Sequence, residues 1–253
     1  RRGATLKSIL RKILPDRILL HLSAYDHYYN GEVELRLLPH LCDTHKISVD
    51  VGTNIGSYTY FMRKYSSHVH AYEPNPILTG QLKRLFRDVT VHAAAASDVT
   101  GQLVLCVPIH RGRIEHELSS VCEDASGDYQ YHEYIVDAKP IDDERFEDVG
   151  FLIIDAERHE LLVLNGSMRT IKDSRPLVMS EVSPLLYSHD LPDTFDFILK
   201  HDYKAFFRFE NRYISFEYYC PKIHANKDQY PFRFMSPNVI VASEERVPDV
   251  LIG

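Results

Sequence analysis

The junction at residues 46–57 constrains this chain more than any other stretch. Residues 46–51 read as a buried strand, and Asp50-Val51-Gly52-Thr53-Asn54-Ile55-Gly56 then turns the chain into a helical pattern over 57–65. A strand that feeds a helix through glycines points to a crossover onto a parallel neighbour, and such crossovers are right-handed. The alternation continues with strand character at 68–72, a helical pattern at 77–86 and a third strand at 89–95. This β-α-β-α-β order predicts an α/β fold with a mostly parallel central sheet and helices on both faces. All the strand C-termini then share one edge, where ligands bind in sheets of this kind.

The remainder extends the same plan. Strands are expected at 101–108, 151–154 and 176–182, helices at 160–171 and 194–201, and further strands at 206–209, 213–216 and 239–242. Residues 110–131 are polar, contain Gly112 and Gly127, and read as a long loop of the kind that often serves as a lid. At the start, Leu6, Ile9, Leu10, Ile13 and Leu14 recur at helical spacing among Arg1, Arg2, Lys7, Arg11 and Lys12. That basic amphipathic helix, ended by Pro15, suits either a membrane surface or anionic partner, or a cap over the main domain. The cap is the expected role, which divides the chain into a helical cap at 1–34 and a catalytic domain at 35–253. The oligomeric state is not legible.

Composition narrows the function. A length of 253 residues, 44% hydrophobic and 26% charged, suits one large globular domain with a cap. The net charge of −7 argues against nucleic acid as the main partner, because phosphate binding needs clustered Lys and Arg. No apolar run reaches the roughly 20 residues that span a bilayer. Cys42, Cys106, Cys122 and Cys220 are scattered without zinc-ligand spacing, so four free thiols and a cytoplasmic location are expected. His110, His116, His132 and His159 form no metal spacing either, and no metal site is expected. A Mg²⁺ held by Asp155, Glu157 and a third oxygen is the alternative.

Gly52 and Gly56 allow a tight turn and close approach of backbone to a ligand. Glu73, at the tip of the second strand, suits the two hydroxyls of a ribose. A dinucleotide fold prefers G-x-G-x-x-G, whose second glycine makes room for a pyrophosphate. That position is Asn54 here, and the loop opens with Asp50. A carboxylate repels a pyrophosphate but attracts the ammonium and sulfonium of S-adenosylmethionine, and the sign of the charge favours the methyl donor.

The motifs together carry a resemblance. Asp50-Val-Gly-Thr-Asn-Ile-Gly56, Tyr72-Glu-Pro-Asn-Pro76, Ala95-Ala-Ser-Asp98 with Gly101, and Ile154-Asp-Ala-Glu157 through Gly166 resemble the FkbM-type methyltransferase family over residues 34–181. The resemblance implies a Rossmann-like class I methyltransferase that O-methylates sugars, glycosides or polyketide-type metabolites. Carried over by position, Asp50, Gly52, Asn54 and Gly56 would hold the methionine end of the cofactor and Glu73 its ribose. Ala95, Ser97 and Asp98 would lie along the adenine, with Asp155 and Glu157 facing the methyl group and acceptor. The family usually has Lys at the position of Ile153 and Gly at that of Arg158. If that glycine has positive φ, Arg158 is strained by about 1 kcal/mol; otherwise its side chain is free to reach an anionic or polyol acceptor.

Methyl transfer to an alcohol is an in-line displacement that needs alignment and a base for the hydroxyl proton. Asp155, Glu157, His159 and Glu181 are the candidate bases, and the sequence does not rank them. Each also has a structural reading: Glu157 as a helix cap, His159 as a solvated helix residue, Glu181 as a partner for an arginine. Two other functions compete, a nicotinamide-dependent oxidoreductase and a S-adenosylmethionine-binding protein without catalysis.

Overall fold

The computed structural model describes residues 14–122, 130–181, 202–209, 212–218 and 235–252. In chain order the strands are β1 (Ile47–Val51), β2 (His68–Tyr72), β3 (Thr90–His92), β4 (Ala95–Ala96), β5 (Gly101–His110), β6 (Arg113–Ile114), β7 (Ser120–Val121), β8 (Tyr131–Lys139), β9 (Val149–Ile154), β10 (Leu177–Glu181), β11 (Tyr203–Phe209), β12 (Arg212–Ser215) and β13 (Met235–Ser243). The α-helices are α1 (Asp16–Asn30), α2 (Leu38–Leu41), α3 (Ser57–Met62), α4 (Pro76–Leu85), α5 (Glu160–Asn165) and α6 (Met168–Ser174).

Eight strands form the main sheet in the order β12-β11-β13-β10-β9-β1-β2-β3. From β3 through β10 every neighbour is parallel. β13 then inserts antiparallel between β10 and β11, so β11 points with the parallel set and β12 closes the edge antiparallel to it. The expected mostly parallel α/β sheet is present. β9 lies at its centre and is buried at every position, which is why Val149-Gly-Phe-Leu-Ile-Ile154 is apolar without alternation.

Each face has its own core. Ala24, Leu35, Leu38, Tyr58, Met62, Leu82 and Phe86 cover one side, so α1 to α4 pack there. Val49, Val51, Ile141, Val163, Leu164 and Ile171 cover the other, with α5 and α6. α4 starts sharply because Asn75 caps it, its side chain accepting from the Ile77 N–H at 3.0 Å, with Pro76 in the first helical position.

Several expected elements differ. The strand read at 89–95 is two pieces, β3 in the main sheet and β4 paired to β8 in a second sheet ordered β4-β8-β5-β6. The helix read at 160–171 breaks into α5 and α6 at Gly166 and Ser167. A Cβ on Gly166 would sit 1.9 Å from the Ser97 carbonyl oxygen, so the chain must pass the β4 tip there with glycine. The long loop read at 110–131 is, in its described part, the end of β5, then β6, a 3-10 turn at His116–Leu118 and β7. The cysteines also depart from expectation. Cys106 and Cys122 form a disulfide with Cα atoms 5.6 Å apart, and Cys42 is the free thiol among the described residues. The cytoplasmic expectation rested on four free thiols and loses that premise. The basic helix read at the N-terminus, apart from Leu14, and the helix read at 194–201 lie outside the described residues. Among those residues no helix is long and apolar enough to cross a membrane.

Candidate active site

A cleft opens at the C-terminal tips of β1, β2, β4 and β9. Its location follows from the first turn. Gly52 has φ +76°, and a Cβ there would fall 1.7 Å from the Asp155 carbonyl oxygen, so only glycine lets β1 and β9 close side by side. The Asp155 N–H donates to the Val51 carbonyl at 3.0 Å and continues that pairing past the strand ends. Asn54 is left-handed at φ +54° and Gly56 at φ +90°, which coils the turn back into α3.

Glu73 anchors one end of the cleft. Its two carboxylate oxygens accept the Asn54 N–H at 2.8 Å and the Asn75 N–H at 2.7 Å. The group is 3% exposed, and burial pushes its pKa up to about 7 against those two hydrogen bonds. Lone pairs remain for hydroxyl donors.

The opposite end is acidic. Burial raises the Asp155 pKa well above the usual carboxylate range, and the hydrogen bond to Glu181 and the charges of Glu181, Glu157 and Glu32 raise it further. Burial likewise raises Glu157, reinforced by Glu181 and Glu160 and opposed by Arg158. The backbone is strained at the same place, with Glu157 at φ +46° and Arg158 at φ +81° in succession. The family glycine position is therefore left-handed in this chain and occupied by arginine. Two acceptor atoms at the cleft, Asn54 Oδ1 and Asp155 Oδ1, are buried without a hydrogen-bond partner. An orphaned buried acceptor costs about 1–3 kcal/mol unless a donor arrives, so both fit a cationic amino group.

Of the residues singled out from sequence, Gly52, Asn54, Glu73, Ala95, Asp155, Glu157 and His159 line the cleft. Asp50, Gly56, Ser97, Asp98 and Glu181 lie outside its lining. Asp50 is 2% exposed and its carboxylate accepts from the Thr59 hydroxyl, which ties the turn to α3. Burial lifts its pKa to about 6. Ser97 is buried and reaches the His159 ring at 3.0 Å, which fixes that histidine toward the β4 side. Asp98 is exposed. Glu181 joins through Asp155. Among the described residues no group of three or more His, Cys, Asp or Glu is arranged to hold a metal ion.

Six further residues shape the site without standing out individually in the sequence. Glu117, Ser119, Ser120 and Val121 roof the cleft. Asn75, fully buried, contacts the His116 ring at 3.2 Å. Glu32 comes from the segment after α1 and accepts from the Tyr58 hydroxyl at 2.5 Å. Residues 117–121 were legible only as part of the lid-type loop at 110–131, Asn75 only as the residue before a helix-starting proline, and Glu32 not at all.

A methyltransferase FkbM from Methylobacillus flagellatus KT superposes with a TM-score of 0.53 at 20% identity, over 95% of this chain and 56% of that one. The chain thus spans about half the length of that protein. A methyltransferase from Geobacter sulfurreducens gives 0.47 at 10% identity over 92% of each chain. A TehB-like SAM-dependent methyltransferase from Corynebacterium glutamicum gives 0.45 at 11% identity over 90% of this chain and 97% of that one. No curated protein sequence matches. The methyltransferase FkbM domain matches residues 50–205, which contain the glycine turn, Glu73 and the Asp155–Glu157 tip, and the chain belongs to that family.

Proposed function

We propose that this chain transfers a methyl group from S-adenosylmethionine to a hydroxyl of a sugar, glycoside or polyketide-type metabolite. The observation that carries the reading is the convergence of Glu73 with the orphaned Asn54 Oδ1 and Asp155 Oδ1 on one cleft. The cofactor supplies a methyl carbon already activated by its sulfonium. Asn54 and Asp155 would hold its amino group, Glu73 its ribose hydroxyls, and Ala95, Ala96, Leu105 and Val121 would flank the adenine.

For the proton, Asp155 is the proposed base, with Glu181 beside it. Burial and the neighbouring acids raise the Asp155 pKa well above the usual carboxylate range. The ionised form of Asp155 is the base for the acceptor hydroxyl, an effect worth about 10²–10⁴-fold in general. Glu157, exposed on the lining, orients the acceptor. His159 is held at Ser97 and supports the adenine side, so the reading takes the base from the acids. A second reading, cofactor binding without catalysis, is favoured by the left-handed Arg158 where relatives have glycine.

Calorimetry with S-adenosylmethionine, its demethylated product and NAD tests the cofactor. Binding of the first two and not NAD supports the reading; binding of NAD alone overturns it. A methyl-transfer screen over sugars and glycosides separates the active from the inactive reading.

A further inference from the structure

We propose that the Cys106–Cys122 disulfide sets how tightly the cleft holds its cofactor, so that reduction of this bond loosens the site. The inference rests on the cofactor reading above. Residues 115–122 form a strap across the cleft, and four of them supply its lining. One side of the strap is tied to the strand tips. The Asn54 side-chain amide donates to the Glu117 carbonyl at 2.9 Å, and the Asn75 amide to the His116 carbonyl at 3.4 Å and to Ser119 Oγ at 3.5 Å. The other side is tied to β5, where β7 pairs Val121 with Leu105 and Ser120 with Cys106. Directly after β7, the Cys122 N–H donates to the Val104 carbonyl at 3.0 Å, and the disulfide closes the loop over 16 residues.

Little else holds the strap. Its 3-10 turn buries no residue, Leu118 is 59% exposed, and β7 is only two residues long. Two of the Asn75 bonds are long, near the limit at which such contacts count, which leaves its 3.2 Å contact with the His116 ring and the Glu115 N–H donated to the Pro108 carbonyl at 2.9 Å. A segment with few buried apolar contacts opens locally at low cost, and the covalent bridge is what opposes that opening. The strap roofs the cleft only when closed. Ligand affinity therefore falls in proportion to the closed fraction.

Cys106 is 4% exposed, whereas Cys122 is half-buried, so attack is expected at the Cys122 sulfur. A dithiol reductant attacks there and displaces the Cys106 sulfur, which takes a proton. The second thiol of the reductant then releases Cys122 as a thiol. Two electrons and two protons enter the protein, and the reductant leaves as its own disulfide.

The test uses the full chain and S-adenosylhomocysteine in calorimetry, before and after treatment with dithiothreitol, beside the C106S/C122S double variant and a Cys42→Ser control. The expected result is an affinity about fivefold weaker on reduction, following the smaller closed fraction. The double variant should be equally weak with or without reductant, and the control should behave as the parent. Amide hydrogen exchange of residues 115–122 gives a readout independent of the cofactor, and should quicken on reduction. Unchanged exchange in the strap overturns the proposal, as does unchanged affinity or a peptide map showing Cys106 and Cys122 as separate thiols under oxidising conditions. If exchange quickens but the homocysteine product binds in neither state, the failure belongs to the cofactor reading, and the proposed control of affinity falls with it.

Discussion

The two ends of the cleft are built on opposite principles. At the β2 tip, Glu73 has both oxygens satisfied by backbone N–H groups, and a capped helix begins beside it. At the β9 tip, Asp155 leaves an oxygen unpaired, faces Glu181, Glu157 and Glu32, and precedes two left-handed residues. The first end is a finished receptor whose cost has been met by backbone hydrogen bonds. The second end stores charge repulsion and strain that a bound cation would relieve. Strain is thus concentrated at the tip proposed for the chemistry, as is common for functional sites.

Substitutions that equalise the two ends should break the contrast. The largest effect is expected for Asp155→Asn, which removes the proposed base and a buried carboxyl group together. Turnover should fall by about 10²–10⁴-fold, while the melting temperature rises because the neighbouring acids lose a repulsive partner. Measured transfer rates and thermal unfolding of the same preparation check both halves; a melting temperature that falls contradicts the strained end.

Glu73→Ala should act in the other direction on stability. It strands two buried backbone donors, each costing about 1–3 kcal/mol, and it should weaken S-adenosylhomocysteine binding at least tenfold. The pH dependence sharpens the point. Because burial holds Glu73 near 7, ribose hydroxyls bind its ionised form best, and complex formation releases a proton. Affinity should rise as pH climbs toward about 7 and level off above it. The folded pKa lies above the unfolded one, so this group's stabilising contribution is full below the unfolded pKa and fades as pH rises through about 7. Calorimetry from pH 5.5 to 8.5 checks the binding slope, which should vanish in Glu73→Gln.

The smallest effect is expected for Arg158→Gly. Relief of the left-handed arginine at φ +81° should stabilise the fold by roughly 1 kcal/mol. A denaturant midpoint that does not move upward shows that the arginine side chain compensates for its backbone.

How much of this was legible in the sequence depends on distance along the chain. Gly52, Glu73 and Asp155 stand out because each ends a strand, and strand ends are marked by local pattern. Two of the departures also had local causes that only the tertiary contact reveals. The break between α5 and α6 exists because Gly166 meets the Ser97 carbonyl, and Asp50 is withdrawn because Thr59 of α3 turns back onto it. The Glu32–Tyr58 bond, the Asn75–His116 contact and the Cys106–Cys122 bridge join residues 26, 41 and 16 positions apart. Periodicity carries no record of such pairings, so the contacts that tie the lid-type loop over the cleft, and the acid from the segment after α1, emerge only with the fold.

The most direct test of the central claim is a crystal structure of the protein soaked with S-adenosylhomocysteine. The account expects the ligand's amino group within hydrogen-bond distance of Asn54 Oδ1 and Asp155, and both ribose hydroxyls on Glu73. Density for the ligand elsewhere, or a Glu73 carboxylate that touches no ribose oxygen, would contradict it.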